Sequence, residues 1–145
     1  MKINIEYLSN LLNVFLEART SHIDIPYIRD AGIKIENEQG GLDEEFLFHS
    51  QIALENGLIS NRDFKFNGLK TIGISIGADD SVALATIPIR LTQKGHDFAN
   101  ALKNKDILIK LKSEFKDAPF KMIFESSQKL FEHFLKKKLD CLMSK

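Results

Sequence analysis

The chain has 145 residues, 43% of them hydrophobic and 28% charged, with 20 basic and 20 acidic side chains. That length suits one domain, or one domain with an appended helical segment, and an ordinary apolar fraction at zero net charge argues against intrinsic disorder. A lone cysteine, Cys141, excludes an internal disulfide framework and a multi-cysteine zinc site, and no apolar run approaches a membrane span.

Residues 4–19 read as a helix, because Ile5, Leu8, Leu12 and Phe15 recur at the three-and-four spacing of one buried face. His22-Ile23-Asp24-Ile25 alternates as a short strand would, and Pro26 assigns it to an edge. Residues 31–41, with Gly32, Gly40 and Gly41, read as a loop. A second helix is expected from about Asp43 to Asn56. Asp43 caps it, Glu44 and Glu45 occupy the first turn where the helix dipole favours negative charge, and Asn56-Gly57 stops it. Leu58 and Ile59 then return the chain to the core. A β-ribbon follows, with Ile72, Ile74 and Ile76 on one arm, a turn at residues 78–81, and a return arm from Val82 to Leu91 that is an edge strand or leaves pairing at Pro88. Thr92 caps a helix of about residues 93–104. A short amphipathic helix carries Ile107, Leu108, Leu111 and Phe115, and a last helix opens at Pro119 or Phe120 and runs to about Met143.

A helix ending in Asn-Gly-Leu-Ile followed by a two-stranded ribbon is the order of a winged helix. The expected fold is therefore α+β: a winged-helix-like core, with helices plus a two- to three-stranded antiparallel wing, and two additional C-terminal helices. An unrelated α+β domain with segregated helices and hairpin is the alternative. The expected division is residues 1–104 for the core and 105–145 for a helical extension packed on it or on a second subunit.

Charge is unevenly spread. Residues 101–145 hold 11 lysines and six acids, whereas residues 1–100 hold nine basic and 14 acidic residues. A solvated lysine-rich helix accounts for this, and so does an anionic partner for the tail. The histidines His22, His49, His96 and His133 are scattered, without a metal-ligand spacing. His49 falls on the core face of its helix and reads as a packed, hydrogen-bonded residue. His96 reads as a structural link between wing and helix, and His133 as surface. No catalytic, cofactor-binding or metal site is expected, and an enzyme is disfavoured.

The helix that a winged helix would insert into a duplex carries Asp43, Glu44, Glu45 and Glu55 and no lysine or arginine. Its sign is wrong for phosphate, and only Gln51 and Asn56 offer base-reading amides. The candidate partner-binding residues are Glu44, Glu45, Gln51 and Glu55 on that helix, and Phe131, Phe134, Lys136, Lys137 and Lys138 on the last one. A protein partner is expected, including a homodimer through the C-terminal helices. Nucleic acid is the alternative, through the lysine-rich tail, and no membrane partner is expected, because Glu125, Glu132 and Asp140 dilute the lysine-rich face of the last helix. A reducing cytoplasm is the expected setting.

Two stretches carry a resemblance. FLFHSQIALENGLI is similar to the corresponding helix of winged-helix proteins. IRLTQKGHDFANAL, with Leu91, Thr92, Gly95, His96 and Phe98, and the tail PFKMIFESSQKLFEHFLKKKL together resemble an uncharacterised family of small winged-helix-like proteins from phages, prophages and their bacterial hosts. The resemblance covers roughly residues 43–140, and the ribbon is longer here than in that family. It implies the fold and an accessory role in a bacterial or phage-infected cell, without an assigned activity.

Overall fold

The computed structural model describes residues 1–144. They form an α+β fold of six α-helices and two small antiparallel sheets. Helix α1 (Ile5–Glu17) starts at Asn4, whose side chain accepts the Tyr7 N–H at 3.0 Å, and buries Ile5, Leu8, Leu11 and Leu12.

The strand expected at His22–Ile25 is reduced to one bridging residue. Ile23 exchanges backbone hydrogen bonds with Ile89 at 2.9 and 2.7 Å, after which the chain turns into helix α2 (Ile25–Asp30). Two neighbours decide this. The Asp24 carboxylate accepts the Tyr27 N–H at 2.9 Å, and Pro26 sits in the first turn, where its missing N–H would have no helical partner anyway. Pro26 is thus a helix starter, not an edge-strand marker.

The following stretch is irregular, as its glycines imply. It is pinned by buried Ile35 and Leu42 and by the Asn37 side chain, which accepts the N–H groups of Gln39 and Gly41, both at 2.9 Å. Helix α3 (Glu44–Glu55) is capped by Asp43, which accepts the Phe46 N–H at 3.1 Å, and ends at Gly57 in the left-handed region.

The expected ribbon is two separate pairings, divided at Pro88. Strands β2 (Ile74–Ile76) and β3 (Val82–Leu84) form a hairpin, preceded by a 3-10 turn at Leu69–Ile72. Strand β4 (Ile89–Leu91) pairs instead with β1 (Ile59–Asn61), Ile59 facing Leu91 and Asn61 facing Ile89. The break falls where Ile87 N–H turns back to the Ala85 carbonyl and Pro88 has no N–H to give.

Helix α4 (Gln93–Lys103) is capped by Thr92, and α5 (Lys105–Glu114) by Asn104. Helix α6 (Phe120–Met143) has 24 residues and is therefore about 36 Å long. Helices α1, α4, α5 and the first half of α6 pack together, and one core runs from Ile5 to Ile123 with Phe46 and Phe98 as its largest fully buried side chains. Among the described residues, no helix is long and apolar enough to cross a membrane.

Candidate interaction surfaces

The two halves of α6 differ in environment. Phe98 of α4 meets Phe120 and Phe124 with ring centroids 5.4 and 5.7 Å apart, the Lys94 ammonium lies 4.9 Å from the Phe124 centroid, and Ile123 and Ser127 are buried. Gln128 marks the end of this seated part, its amide donating to the Asp97 carbonyl at 3.3 Å. Beyond Phe131 the helix projects. Phe134, Leu135, Leu139, Leu142 and Met143 are 43, 47, 53, 59 and 76% exposed.

The apolar spacing of the first half continues, through Phe131, Leu135, Leu139 and Leu142, onto a part of the helix where, among the described residues, these side chains are only partly covered. Phe131 and Phe134 stack on each other at 6.2 Å. Phe131, Leu135 and Leu139 line one side of an open groove of about 500 Å³, and Asp97 and Asn100 of α4 line the other. Lys136, Lys137 and Lys138 are exposed on the same half, with Lys136 paired to Glu132 at 3.1 Å.

On α3 the expected division holds. Phe46, His49, Ser50, Ala53 and Leu54 face inward, while Glu44, Glu45, Gln51 and Glu55 are exposed. These four residues do not form one patch. Glu44 lines a groove with Asp79 and Asp80 of the β2–β3 turn, so three carboxylates share it; Gln51 and Glu55 line a second groove with Phe66 and Asn67. The candidates on α6 line neither. Asp79 is held below the usual carboxylate range by hydrogen bonds from the Ser81 hydroxyl and N–H, which close the turn.

His49 is a packed, hydrogen-bonded core residue. Its Nε2 accepts the Asn4 N–H at 2.9 Å, which requires the proton on Nδ1, and that nitrogen donates to the Glu45 carbonyl at 2.8 Å. The Tyr7 ring lies 4.5 Å away. Burial lowers the His49 pKa and outweighs the opposing influence of Glu45. The Tyr7 hydroxyl is buried without a partner, and desolvation, reinforced by Asp43 and Glu45, pushes its pKa above the ordinary range.

His96 departs from expectation. It is exposed and its Nδ1 meets the Asn100 amide at 3.1 Å, so the link from strand to helix is made by Thr92 instead. His133 and Cys141 are exposed. Among the described residues, no three His, Cys, Asp or Glu side chains gather as a metal-ligand set.

One surface was missed in the sequence. Phe64 and Phe66 are 71 and 44% exposed, and the Arg90 guanidinium carbon lies 5.1 Å from the Phe64 centroid. The signal was the segment Arg62-Asp63-Phe64-Lys65-Phe66, in which aromatic and charged residues alternate without a helical or strand partner. Comparison of the chain with models of known families, with curated proteins and with solved structures finds no match.

Proposed function

We propose that this chain is a non-enzymatic binding module of winged-helix type that works through protein–protein contacts, beginning with self-association through the second half of α6. The order α1, Ile23, α2, α3, β1, hairpin, β4 supports the fold assignment, because β4 is flanked by Ile23 on one side and β1 on the other. The resemblance to small phage and prophage proteins fits an accessory role that modulates a host factor, with the acidic outer face of α3 complementary to a basic surface on such a partner.

The carrying observation is the projecting apolar stripe of α6. Leu135, Leu139 and Leu142 lie in register with Phe131 and have about half their surface in water. A second copy is the occupant that the charges favour. Residues 131–144 hold three lysines and two acids, so two such segments repel each other weakly. Five partly exposed side chains give a patch of a few hundred Å² per copy, less than the roughly 800 Å² per partner of a standard interface. Association is therefore moderate and concentration-dependent.

Light scattering across a protein concentration series tests this reading. The parent chain should pass from monomer to dimer, and Leu135→Glu with Leu139→Glu should remain monomeric with an unchanged circular dichroism spectrum. A parent chain that stays monomeric at several hundred micromolar overturns the self-association. The second reading, a DNA-binding regulator, is favoured by the exposed Lys136–Lys138 on the projecting helix. It requires duplex binding that weakens steeply with salt and is lost when these three lysines become alanine.

A further inference from the structure

The chain beyond β1 forms a tight turn that holds an aromatic ring in water. The Asn61 side chain accepts the N–H groups of Asp63 and Lys65 at 2.8 and 3.0 Å, and the Asn61 carbonyl accepts the Phe64 N–H at 3.1 Å. Closing this turn places Phe64 at φ +64, a left-handed conformation unfavourable for a bulky residue and easy for glycine. The ring is nonetheless 71% exposed. Neither backbone preference nor burial explains a phenylalanine here, so a strained, outward aromatic points to a contact made elsewhere.

Its surroundings define that contact. Ser60 faces Arg90 in the β1–β4 register, which brings the Arg90 guanidinium over one face of the Phe64 ring and leaves the other open. Arg62 and Lys65 flank the ring in sequence and are exposed, with Asp63 the one acid of the turn. Two residues on, Phe66 lies against the Gly57 backbone and lines a groove together with Gln51, Glu55 and Asn67. Arg90 thus covers one face of Phe64, Arg62 and Lys65 lie within two residues of it in the chain, and the acids beside the two rings are Asp63 and Glu55.

We propose that Phe64 and Phe66 form a stacking platform for single-stranded nucleic acid. Unpaired bases would lie on the free face of Phe64 and on Phe66, and the phosphates would run past Arg62, Lys65 and Arg90. The amides of Gln51 and Asn67 stand where base edges would pass. A duplex fits poorly, because its stacked bases present no free faces to the rings. This site is independent of the α6 self-association.

Fluorescence anisotropy with a labelled 15-nucleotide oligothymidine, and with a duplex of equal length, tests the proposal at about 50 mM salt. The single strand should bind more tightly than the duplex. Phe64→Ala and Phe66→Ala should each weaken it by roughly 10-fold, within the span observed for single stacked bases, whereas Phe64→Tyr should retain binding. Phe64→Gly separates function from folding, because it should raise the melting temperature by relieving the backbone while losing the same binding. Replacing Lys136, Lys137 and Lys138 with alanine should change affinity less than 3-fold. No single-strand binding, or binding that survives both phenylalanine substitutions, or binding that disappears with the three tail lysines, overturns the platform.

Discussion

The first turn of α4 rests directly on the backbone that leaves α3: a Cβ built on Gly95 would lie 1.8 Å from the Leu58 carbonyl oxygen and 2.7 Å from its carbon. The same carbonyl accepts the Thr92 N–H at 3.0 Å, and the Thr92 hydroxyl donates to Gly57. Thr92 also caps the helix by accepting the Gly95 N–H at 3.0 Å. The Leu-Thr-x-x-Gly segment is therefore a clamp between the α3 exit and α4, and its glycine is a packing requirement.

Gly95→Ala should accordingly be severe. The Leu58 carbonyl cannot retreat without breaking its bond to Thr92, so helix and strand must separate. A loss of about 3 kcal/mol or more is expected in urea denaturation, well above the ordinary surface substitution. A loss below about 1 kcal/mol would mean that α4 shifts freely and that the clamp is not rigid.

His49 ties the start of α1 to α3, and its lowered pKa makes that tie acid-sensitive. Above about pH 6.5 the imidazole is neutral in both the folded and the unfolded chain and contributes no pH dependence. As pH falls through that value the unfolded chain takes up a proton that the folded one resists, so stability falls, and it levels off for this group below the folded pKa. Protonation would also set an Nε2–H against the Asn4 N–H. The denaturation midpoint should be lower at pH 5.5 than at pH 7.5. His49→Gln should be less stable at pH 7.5 but show a shallower slope; an unchanged slope would assign the acid sensitivity to other groups.

Tyr7 offers the opposite kind of test. Its ring packs against His49, but its hydroxyl is buried with no partner. Tyr7→Phe keeps the ring and removes an unpaired polar atom, so a gain of about 1 kcal/mol is expected from thermal or urea unfolding. A loss of that size would show that the hydroxyl has a bridging water.

These residues also show what the sequence could carry. Helix α3 was legible because its signals are local: Asp43, Glu44, Asn56 and Gly57 bracket it, and Phe46, His49 and Ala53 mark its inner face. Strand β1 was not, because three residues bounded by Ile59 and Asn61 owe their conformation to Ile89–Leu91, about 30 positions away. The alternation at His22–Ile25 misled for the converse reason, since the Asp24 cap and Pro26 act over one turn and override a period-two pattern of four residues. The apolar stripe of α6 was read correctly as a stripe, but periodicity cannot say where along it the covering elements stop. Phe64 escaped because its exposure depends on the turn that Asn61 closes.

That stopping point on α6 predicts a contrast within one helix. Ile123 is 1% exposed and Leu139 is 53% exposed, one in each half of the same helix. Ile123→Ala should lose about 2–5 kcal/mol at any protein concentration, because it opens a cavity beneath α4 and α5. Leu139→Ala should change the stability of the monomer by less than about 0.5 kcal/mol. If the projecting half is where copies meet, however, the parent chain gains stability with concentration by mass action, and Leu139→Ala should lose that gain. Melting temperatures of the parent chain and both variants at 2 and 200 micromolar separate the two effects. A Leu139→Ala variant as destabilised in dilute solution as Ile123→Ala would place a covering element on the second half of α6 within the same chain.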